Sequence, residues 1–169
     1  MPVTRLNHAV LYVRDVAVSR QFYEDVLGFR TKVWLPGQAA FLQAGGSTND
    51  HDLGLFQIGA AAASGAGRTT VGLYHLAWEV DTLAELARLR DELAERGALA
   101  GASDHNTTKA LYARDPDGLE FEVSWLLPHD LITEEVVAAG LRTLPLDLEA
   151  EMARYGPETL GGVGVSSPG

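Results

Sequence analysis

The sequence predicts an α+β fold built from two similar halves in tandem, and two observations carry this prediction. The segments Leu6–Val13 and Leu73–Val80 match at leucine, histidine and valine with a constant offset of 67 residues. After each segment the chain has an aspartate, a helix-like stretch and a glycine, where a left-handed residue ends many helices. These residues are Asp15 and Gly28, then Asp81 and Gly97. A repeat that keeps this order indicates one unit used twice, so we predict a βαβββ module in each half.

The first module is predicted from its hydrophobic spacing. Leu6–Val13 is rich in β-forming residues, and apolar residues at helical spacing predict a helix over Val16–Leu27 with Asp15 as N-cap. Three extended segments separated by turn residues follow the helix. They are Phe29–Trp34, Gln38–Gln43 and His51–Ile58. A connector rich in Ala, Gly and Ser, Gly59–Gly67, is predicted to lead into the second module.

The second module repeats this plan. We predict a helix over Leu83–Arg96, with Thr82 as N-cap and Gly97 as the residue that stops it. Two clear strands follow, joined by the Asp-Pro-Asp-Gly turn at 115–118. They are Lys109–Arg114 and Leu119–Leu126. A short strand near Gly101 would complete the module.

The repeat ends near Pro128, which sets the predicted domain organisation. We expect one domain over residues 1–128, with modules at about 4–58 and 72–127, and an extension over residues 129–169. Helices are predicted in this extension, with a frayed end from Gly161 to Gly169. They are Thr133–Leu141 and Leu146–Tyr155. We expect these helices to cover part of the domain or a subunit contact.

The charge balance argues against nucleic acid as a partner. The chain has 13 basic and 23 acidic residues, a net charge of −10, and no cluster of Lys and Arg that would bind phosphates. No run reaches the ~18 apolar residues of a membrane helix, and the N-terminus enters a strand without an apolar signal segment. We therefore expect a cytoplasmic protein without a membrane partner. Because the chain has no cysteine, any bound metal must use N and O ligands.

Two histidines at equivalent points of the repeat are the strongest functional signal. His8 and His75 each lie in a strand-like segment, and a carboxylate from the last strand would complete a 2-His-1-carboxylate triad, a ligand set typical of non-haem Fe(II). Glu120 and Glu122 share one face of that strand, and residue type alone leaves both as candidates for the ligand. The glutamate that is not a ligand could orient a ligand imidazole.

The chain resembles the vicinal oxygen chelate superfamily, and within it the extradiol dioxygenases of the catechol 2,3-dioxygenase type. The resemblance covers about residues 4–127. It is carried by the paired modules, by the sequence Arg20-Gln21-Phe22-Tyr23 in the first predicted helix and by the segment Tyr112–Gly118. It implies iron ligands at His8, His75 and the carboxylate four residues after Gly118, which is Glu122. It therefore favours Glu122 over Glu120.

The same resemblance implies three further site residues. His51, His105 and Tyr112 match residues that handle protons and hold substrate oxygens in that family, with His51 as the candidate acid or base. Two positions depart from the family pattern: Asp52 stands where a second histidine is frequent, and Asn106 stands where a glycine is common. Trp34, Phe41 and Trp78 are candidates for the pocket wall.

The resemblance implies Fe(II)-dependent cleavage of a catechol beside its hydroxyls, with both atoms of O2 inserted to give a ring-opened semialdehyde. Mn(II) is an alternative metal because its ligand preferences are close to those of Fe(II). The implied partners are a small aromatic diol and O2, and a homodimer or higher homo-oligomer is expected. One rival function is a glyoxalase-like lyase or isomerase, which needs a second carboxylate from the first module, where only Asp52 is present. Another is a metal-free drug-binding module of the bleomycin-resistance kind.

Overall fold

The computed structural model describes residues 2–3, 5–65 and 69–162. The chain divides into two compact units, each of which contains one sheet. The first unit reaches Gly65 and includes Asp115–Leu119, and the second contains the remainder. Mixed helices and strands in two sheets confirm the predicted α+β class. No helix in the described part of the chain is long and apolar enough to cross a membrane.

The first unit has one helix, α1 (Val16–Leu27), packed on a four-stranded sheet. The strands are β1 (Ala9–Val13), β2 (Arg30–Leu35), β3 (Ala39–Gln43) and β4 (Leu53–Gln57). Their order in the sheet is β1-β4-β3-β2, with β1 parallel to β4 and the other pairs antiparallel. The Asp15 carboxylate accepts the backbone N–H of Ala17 and Val18, and Gly28 takes φ 68°, as both predicted caps require.

The second unit repeats this arrangement with α2 (Leu83–Glu95) on a sheet of order β5-β8-β7-β6-β9. The strands are β5 (Leu76–Glu79), β6 (Leu99–Asp104), β7 (Thr108–Arg114), β8 (Glu120–Leu126) and β9 (Leu144–Pro145). Thr82 caps α2 through its hydroxyl, which accepts the backbone N–H of Glu85, and Gly97 follows the helix with φ 65°. The predicted strand near Gly101 is β6.

Each sheet buries the face that its helix covers. In the second unit four leucines of α2, at positions 83, 86, 89 and 93, are at most 1% exposed. Burying such side chains contributes roughly 1.5–3 kcal/mol each. The opposite face of the first sheet is more open, since Val10 and Tyr12 of β1 are 52% and 70% exposed. His8 directly precedes β1 of this sheet, and His75 directly precedes β5 of the second sheet.

The extension folds back on the second unit. It contains a 3₁₀ turn, His129–Leu131, then α3 (Glu134–Ala139), the short strand β9, and α4 (Leu148–Tyr155). β9 pairs with the edge of β6, and α4 packs on α2. The predicted helices of the extension are thus present with shorter bounds. β9 was not predicted, because two residues give no readable alternation.

Two predictions about segment ends need correction. His8 and His75 do not lie within strands: each directly precedes one, because the ladder of the first sheet begins at Ala9 opposite Leu53 and that of the second at Leu76 opposite Phe121. The frayed end does not begin at Gly161, since the backbone N–H of Gly161 donates to the Asp81 carbonyl oxygen and that of Gly162 to the Leu126 carbonyl oxygen. Residues 163–169, and residues 66–67 of the predicted connector, lie outside the described residues.

Candidate metal centre and active site

The two repeats place their histidines in the same strand register. His8 lies two residues before Val10, which is opposite Gly54 in the parallel pair of β1 and β4. His75 lies two residues before Ala77, which is opposite Glu122 in the parallel pair of β5 and β8. Glu122 therefore has Gly54 as its equivalent in the first repeat.

The two repeats also correspond in the next strand of each sheet, which is β3 in the first unit and β7 in the second. Gly54 is opposite Phe41 of β3, and Glu122 is opposite Tyr112 of β7. A Cβ added to Gly54 would meet Val10 and Phe41 at 3.5–3.7 Å, which is ordinary contact. The first repeat thus presents a phenyl ring and no side chain where the second presents a phenol and a carboxylate.

In the second unit the structure brings His75 and Glu122 together. His75 Nε2 lies 3.3 Å from Glu122 Oε2, and their side chains are 24% and 13% exposed. Two ligand atoms at about 2.1 Å from one ion and at right angles are about 3 Å apart, so this spacing fits a shared divalent metal. His75 Nδ1 is buried and has no hydrogen-bond partner among the described residues. A nitrogen and a carboxylate oxygen in this arrangement are donors suited to Fe(II) or Mn(II).

Tyr112 connects this pair to His105. The Tyr112 ring centroid lies 5.8 Å from that of His75, and its hydroxyl lies 2.9 Å from His105 Nε2. Burial and the nearby Glu122 carboxylate raise the pKa of Tyr112 to about 12. The phenol is therefore protonated at neutral pH and can donate a hydrogen bond.

In the first unit the structure brings His8 and His51 together. Their ring centroids are 4.5 Å apart, and the Phe41 ring meets His51 edge-on at 5.1 Å. His8 Nδ1 lies 2.7 Å from the Asn7 side-chain oxygen, which can only accept and so fixes the proton on Nδ1. Nε2 is then the bare nitrogen, which is the state a metal ligand needs. Asn7 was not predicted as a site residue.

His51 contacts the carboxylate of Asp50, which was not predicted as a site residue. Its Nδ1 lies 2.9 Å from the Asp50 carboxylate. The hydrogen bond to His51 lowers the pKa of Asp50. An ionised partner at Nδ1 leaves Nε2 of His51 to exchange a proton with a ligand.

The Asp52 carboxylate accepts hydrogen bonds from the loop that precedes β4. It accepts the backbone N–H of Ala44 at 2.8 Å, the Ser47 hydroxyl at 2.7 Å and the Asn49 amide at 2.7 Å. Three donors occupy most of the capacity of one carboxylate. The departure from the family pattern at Asp52 therefore has a structural reason, which is to hold the loop before β4.

Asn106 also has a local explanation. Its φ is +74°, a left-handed conformation that glycine and asparagine tolerate best. Its side-chain amide donates to the carbonyl oxygens of Val136 at 2.7 Å and Gly140 at 3.0 Å. Asparagine thus preserves the turn that a glycine would make and also binds the extension.

Of the three aromatic residues predicted for the pocket wall, only Phe41 lies on the same face of its sheet as the histidines. Phe41 lies beside His51, as expected. Trp34 instead packs under the Arg20 guanidinium of α1, 4.8 Å from its ring centroid, and so lies on the helix side of its sheet. Trp78 alternates with Ala77 and is opposite the buried Val123, so it faces away from Glu122. Trp34 and Trp78 are therefore corrected: alternation along each strand excludes them from the histidine face.

The predicted residues thus form two clusters, His8 with His51 and His75 with Glu122, Tyr112 and His105. Within residues 2–3, 5–65 and 69–162 no group of three or more His, Asp or Glu side chains is close enough to hold a metal. Glu122 is the glutamate of β8 whose carboxylate contacts His75.

Comparison with known families identifies the chain. The model of the Glyoxalase/Bleomycin resistance protein/Dioxygenase superfamily matches residues 5–123, which is most of the chain. The chain belongs to this superfamily. The predicted resemblance to vicinal oxygen chelate proteins is thereby confirmed, and the extension lies beyond the matched region.

Two curated relatives of the superfamily are dioxygenases. Catechol-2,3-dioxygenase of Bacillus subtilis is 32% identical over 120 residues, covering 71% of this chain and 41% of the relative. Biphenyl-2,3-diol 1,2-dioxygenase 3 of Rhodococcus globerulus is 33% identical over 120 residues, covering 70% of this chain and 62% of the relative. The chain therefore spans less than two thirds of the length of either relative.

A superfamily structure of another activity is also similar. Lactoylglutathione lyase from Agrobacterium tumefaciens has a TM-score of 0.54 and 26% identity, covering 73% of this chain and 95% of that one. The chain is thus similar both to proteins named as dioxygenases and to one named as a lyase.

Proposed function

We propose that this protein is an extradiol ring-cleaving dioxygenase that holds Fe(II) through His8, His75 and Glu122. The observation that carries the proposal is Gly54, which stands in the first repeat where Glu122 stands in the second. A site with two histidines and one carboxylate leaves positions open on the metal, whereas a second carboxylate would fill one of them. The contact between His75 and Glu122 and the bare Nε2 of His8 support the same ligand set.

The proposed substrate is a catechol-type diol, and O2 is the second substrate. Fe(II), when bound, would supply a centre that the two substrate oxygens chelate and that activates O2. Mn(II) is the alternative metal. The product would be the ring-opened semialdehyde that contains both oxygen atoms. The aromatic ring of Phe41 would contact the substrate ring beside His51.

His51 is the proposed acid or base. The Asp50 carboxylate at Nδ1 would stabilise the protonated ring after His51 takes a proton from a substrate hydroxyl. Tyr112 would hydrogen-bond a substrate oxygen, and His105 would line the mouth of the pocket next to it.

The rival functions have less support. A glyoxalase-like lyase or isomerase needs a second carboxylate in the first repeat, but Gly54 has no side chain and Asp52 is occupied by three donors. A metal-free binding module would have no use for the His75 and Glu122 pair. A cytoplasmic location and a homodimer or higher homo-oligomer stay predictions.

The deciding experiment measures oxygen uptake by protein reconstituted anaerobically with Fe(II), over a panel of substituted catechols, with absorbance recorded for a yellow product. His8→Ala is the test variant, and His129→Ala is its control because His129 is an exposed residue of the extension. Uptake with colour that His8→Ala loses and His129→Ala keeps supports the proposal. No uptake by protein shown to hold Fe(II) would favour the lyase or isomerase, and no metal binding would favour the binding module.

A further inference from the structure

The extension reaches the side of His105 that faces away from Tyr112. His105 Nδ1 lies 3.2 Å from the backbone carbonyl oxygen of Arg142 and 3.2 Å from the Thr143 hydroxyl. Its Nε2 lies 2.9 Å from the Tyr112 hydroxyl. Both nitrogens of the ring are therefore engaged, one by the extension and one by the proposed active site.

The carbonyl contact decides where the proton of the neutral ring lies. A carbonyl oxygen only accepts, so the hydrogen bond to Arg142 requires the proton on Nδ1. Nε2 of the neutral ring is then an acceptor for the Tyr112 hydroxyl proton, for which the Glu122 carboxylate beside Tyr112 is the competing acceptor. A tyrosine held in this direction presents its oxygen lone pairs to a substrate hydroxyl.

Several contacts hold the Arg142 segment against the turn that carries His105. The Arg142 guanidinium contacts the Asp104 carboxylate at 2.5 Å, and β9 pairs with the end of β6 directly after Thr143. Asn106, on the other side of His105, binds the Val136 and Gly140 carbonyls. Asp104 and Asn106 are both buried, so these contacts are screened from water.

We propose that Arg142 and Thr143 of the extension are positioning residues, which fix the tautomer and orientation of His105 so that Tyr112 directs its hydroxyl proton at His105 Nε2. This inference rests on the proposed function only for its effect on turnover. The tautomer itself is a property of the folded chain. The segment lies outside the region that the family model matches, residues 5–123.

The test uses NMR of protein labelled with ¹⁵N-histidine and free of paramagnetic iron, in which ring ¹⁵N shifts report the tautomer of each histidine. His105→Asn assigns the signal. We expect His105 of the unsubstituted protein to carry its proton on Nδ1. Arg142→Ala, Thr143→Val and Asn106→Gly should each shift its ring signals toward a mixture of tautomers, and Arg142→Lys should restore part of the original pattern.

Glu149→Gln is the matched control. It breaks the contact between Glu149 and Arg90, which joins α4 to α2 at 2.6 Å without touching His105. It should leave the His105 signals unchanged. Asn106→Gly keeps a residue that tolerates the positive φ, so it remains informative if Arg142→Ala does not fold.

Turnover gives the second readout. In Fe(II)-loaded protein that cleaves catechols, Arg142→Ala and Asn106→Gly should lower kcat about tenfold with little change in KM, while Glu149→Gln keeps both. A proton on Nε2 of His105 in the unsubstituted protein, or ring signals unmoved by all three variants, would overturn the inference. Loss of dioxygenase activity in every sample with the NMR pattern intact would instead overturn the proposed function.

Discussion

Gly54 and Glu122 occupy the same register position in the two repeats, each opposite an aromatic residue of the next strand. Sequence identity between the repeats is too low at these positions to show this equivalence. It follows from strand pairing, which places Gly54 beside Phe41 and Glu122 beside Tyr112. The second repeat thus carries a carboxylate at this register position, and the first repeat carries none.

The first prediction tests Glu122 as a metal ligand. Glu122→Gln should weaken Fe(II) binding by at least about 100-fold, because it removes the anionic ligand that contacts His75. Isothermal titration under anaerobic conditions measures the affinity. Glu120→Gln, two residues earlier on the same face, is the matched control and should lose far less. Equal losses in the two variants would contradict the assignment.

The second prediction uses the empty position at Gly54. Gly54→Glu places a carboxylate at the equivalent of Glu122, so we expect metal binding to be kept and oxygen uptake with catechols to fall by at least about tenfold as an open position is filled. Metal content and oxygen consumption are measured on one sample. Gly54→Ala controls for the backbone, since its Cβ meets only ordinary contacts. Unchanged uptake in Gly54→Glu would argue that Gly54 does not face the metal.

The third prediction concerns His51. His51→Asn should lower kcat about 100-fold with metal affinity unchanged, because it removes the proposed acid or base and not a ligand. Stopped-flow absorbance of the product gives kcat. His129→Asn, which changes an exposed histidine, should leave kcat as it is. If His51→Asn loses metal instead, His51 acts as a ligand and the proposed roles must be reassigned.

The fourth prediction is a pH dependence of stability at Asp104. Burial opposes ionisation of this carboxyl, but Lys109, the Asn106 backbone N–H and Arg142 outweigh it and lower the pKa of Asp104. A lowered folded-state pKa stabilises the fold at pH values above the unfolded pKa, which is about 3.9, and this stability is lost as pH falls through the folded-state pKa. Asp104→Asn should therefore cost about 1–3 kcal/mol at neutral pH, because Lys109 keeps its contact with Glu151 at 2.9 Å, and much less in strong acid.

Denaturant unfolding of Asp104→Asn and the unsubstituted protein at pH 7 and pH 3 measures this difference. Glu149→Gln serves as the control, because its ion pair with Arg90 is exposed and contributes little. A gap between the two proteins that is as large at pH 3 as at pH 7 would show that the effect of Asp104 is not electrostatic.

Much of the fold could be predicted because its signals are local. Asp15 and Thr82 begin helices and Gly28 and Gly97 follow them at the expected positions, since caps act over three or four residues. The family resemblance singled out His75 and Glu122 together, and the parallel pairing of β5 and β8 places their side chains in contact.

Other features could not be predicted, because they depend on contacts between distant parts of the chain. Arg142 lies 37 residues after His105, and no local pattern connects them. The equivalence of Gly54 and Glu122 is visible only in the strand-pairing register. The sheet faces on which Trp34 and Trp78 lie depend on which residues pair across the strands, and this pairing is not visible in the sequence. The role of Asn106 could not be predicted either, because its side-chain amide donates to carbonyl oxygens 30 and 34 residues later in the chain, at Val136 and Gly140.

The end of the described chain covers the C-terminal end of β8. The Trp125 indole donates to the Thr159 carbonyl at 3.1 Å, and a Cβ on Gly161 would lie 2.5 Å from the Leu126 carbonyl oxygen. A truncated protein should therefore keep the chain through Gly162. A boundary before Thr159 would remove the carbonyl acceptor of the Trp125 indole and open the edge of that ring to water.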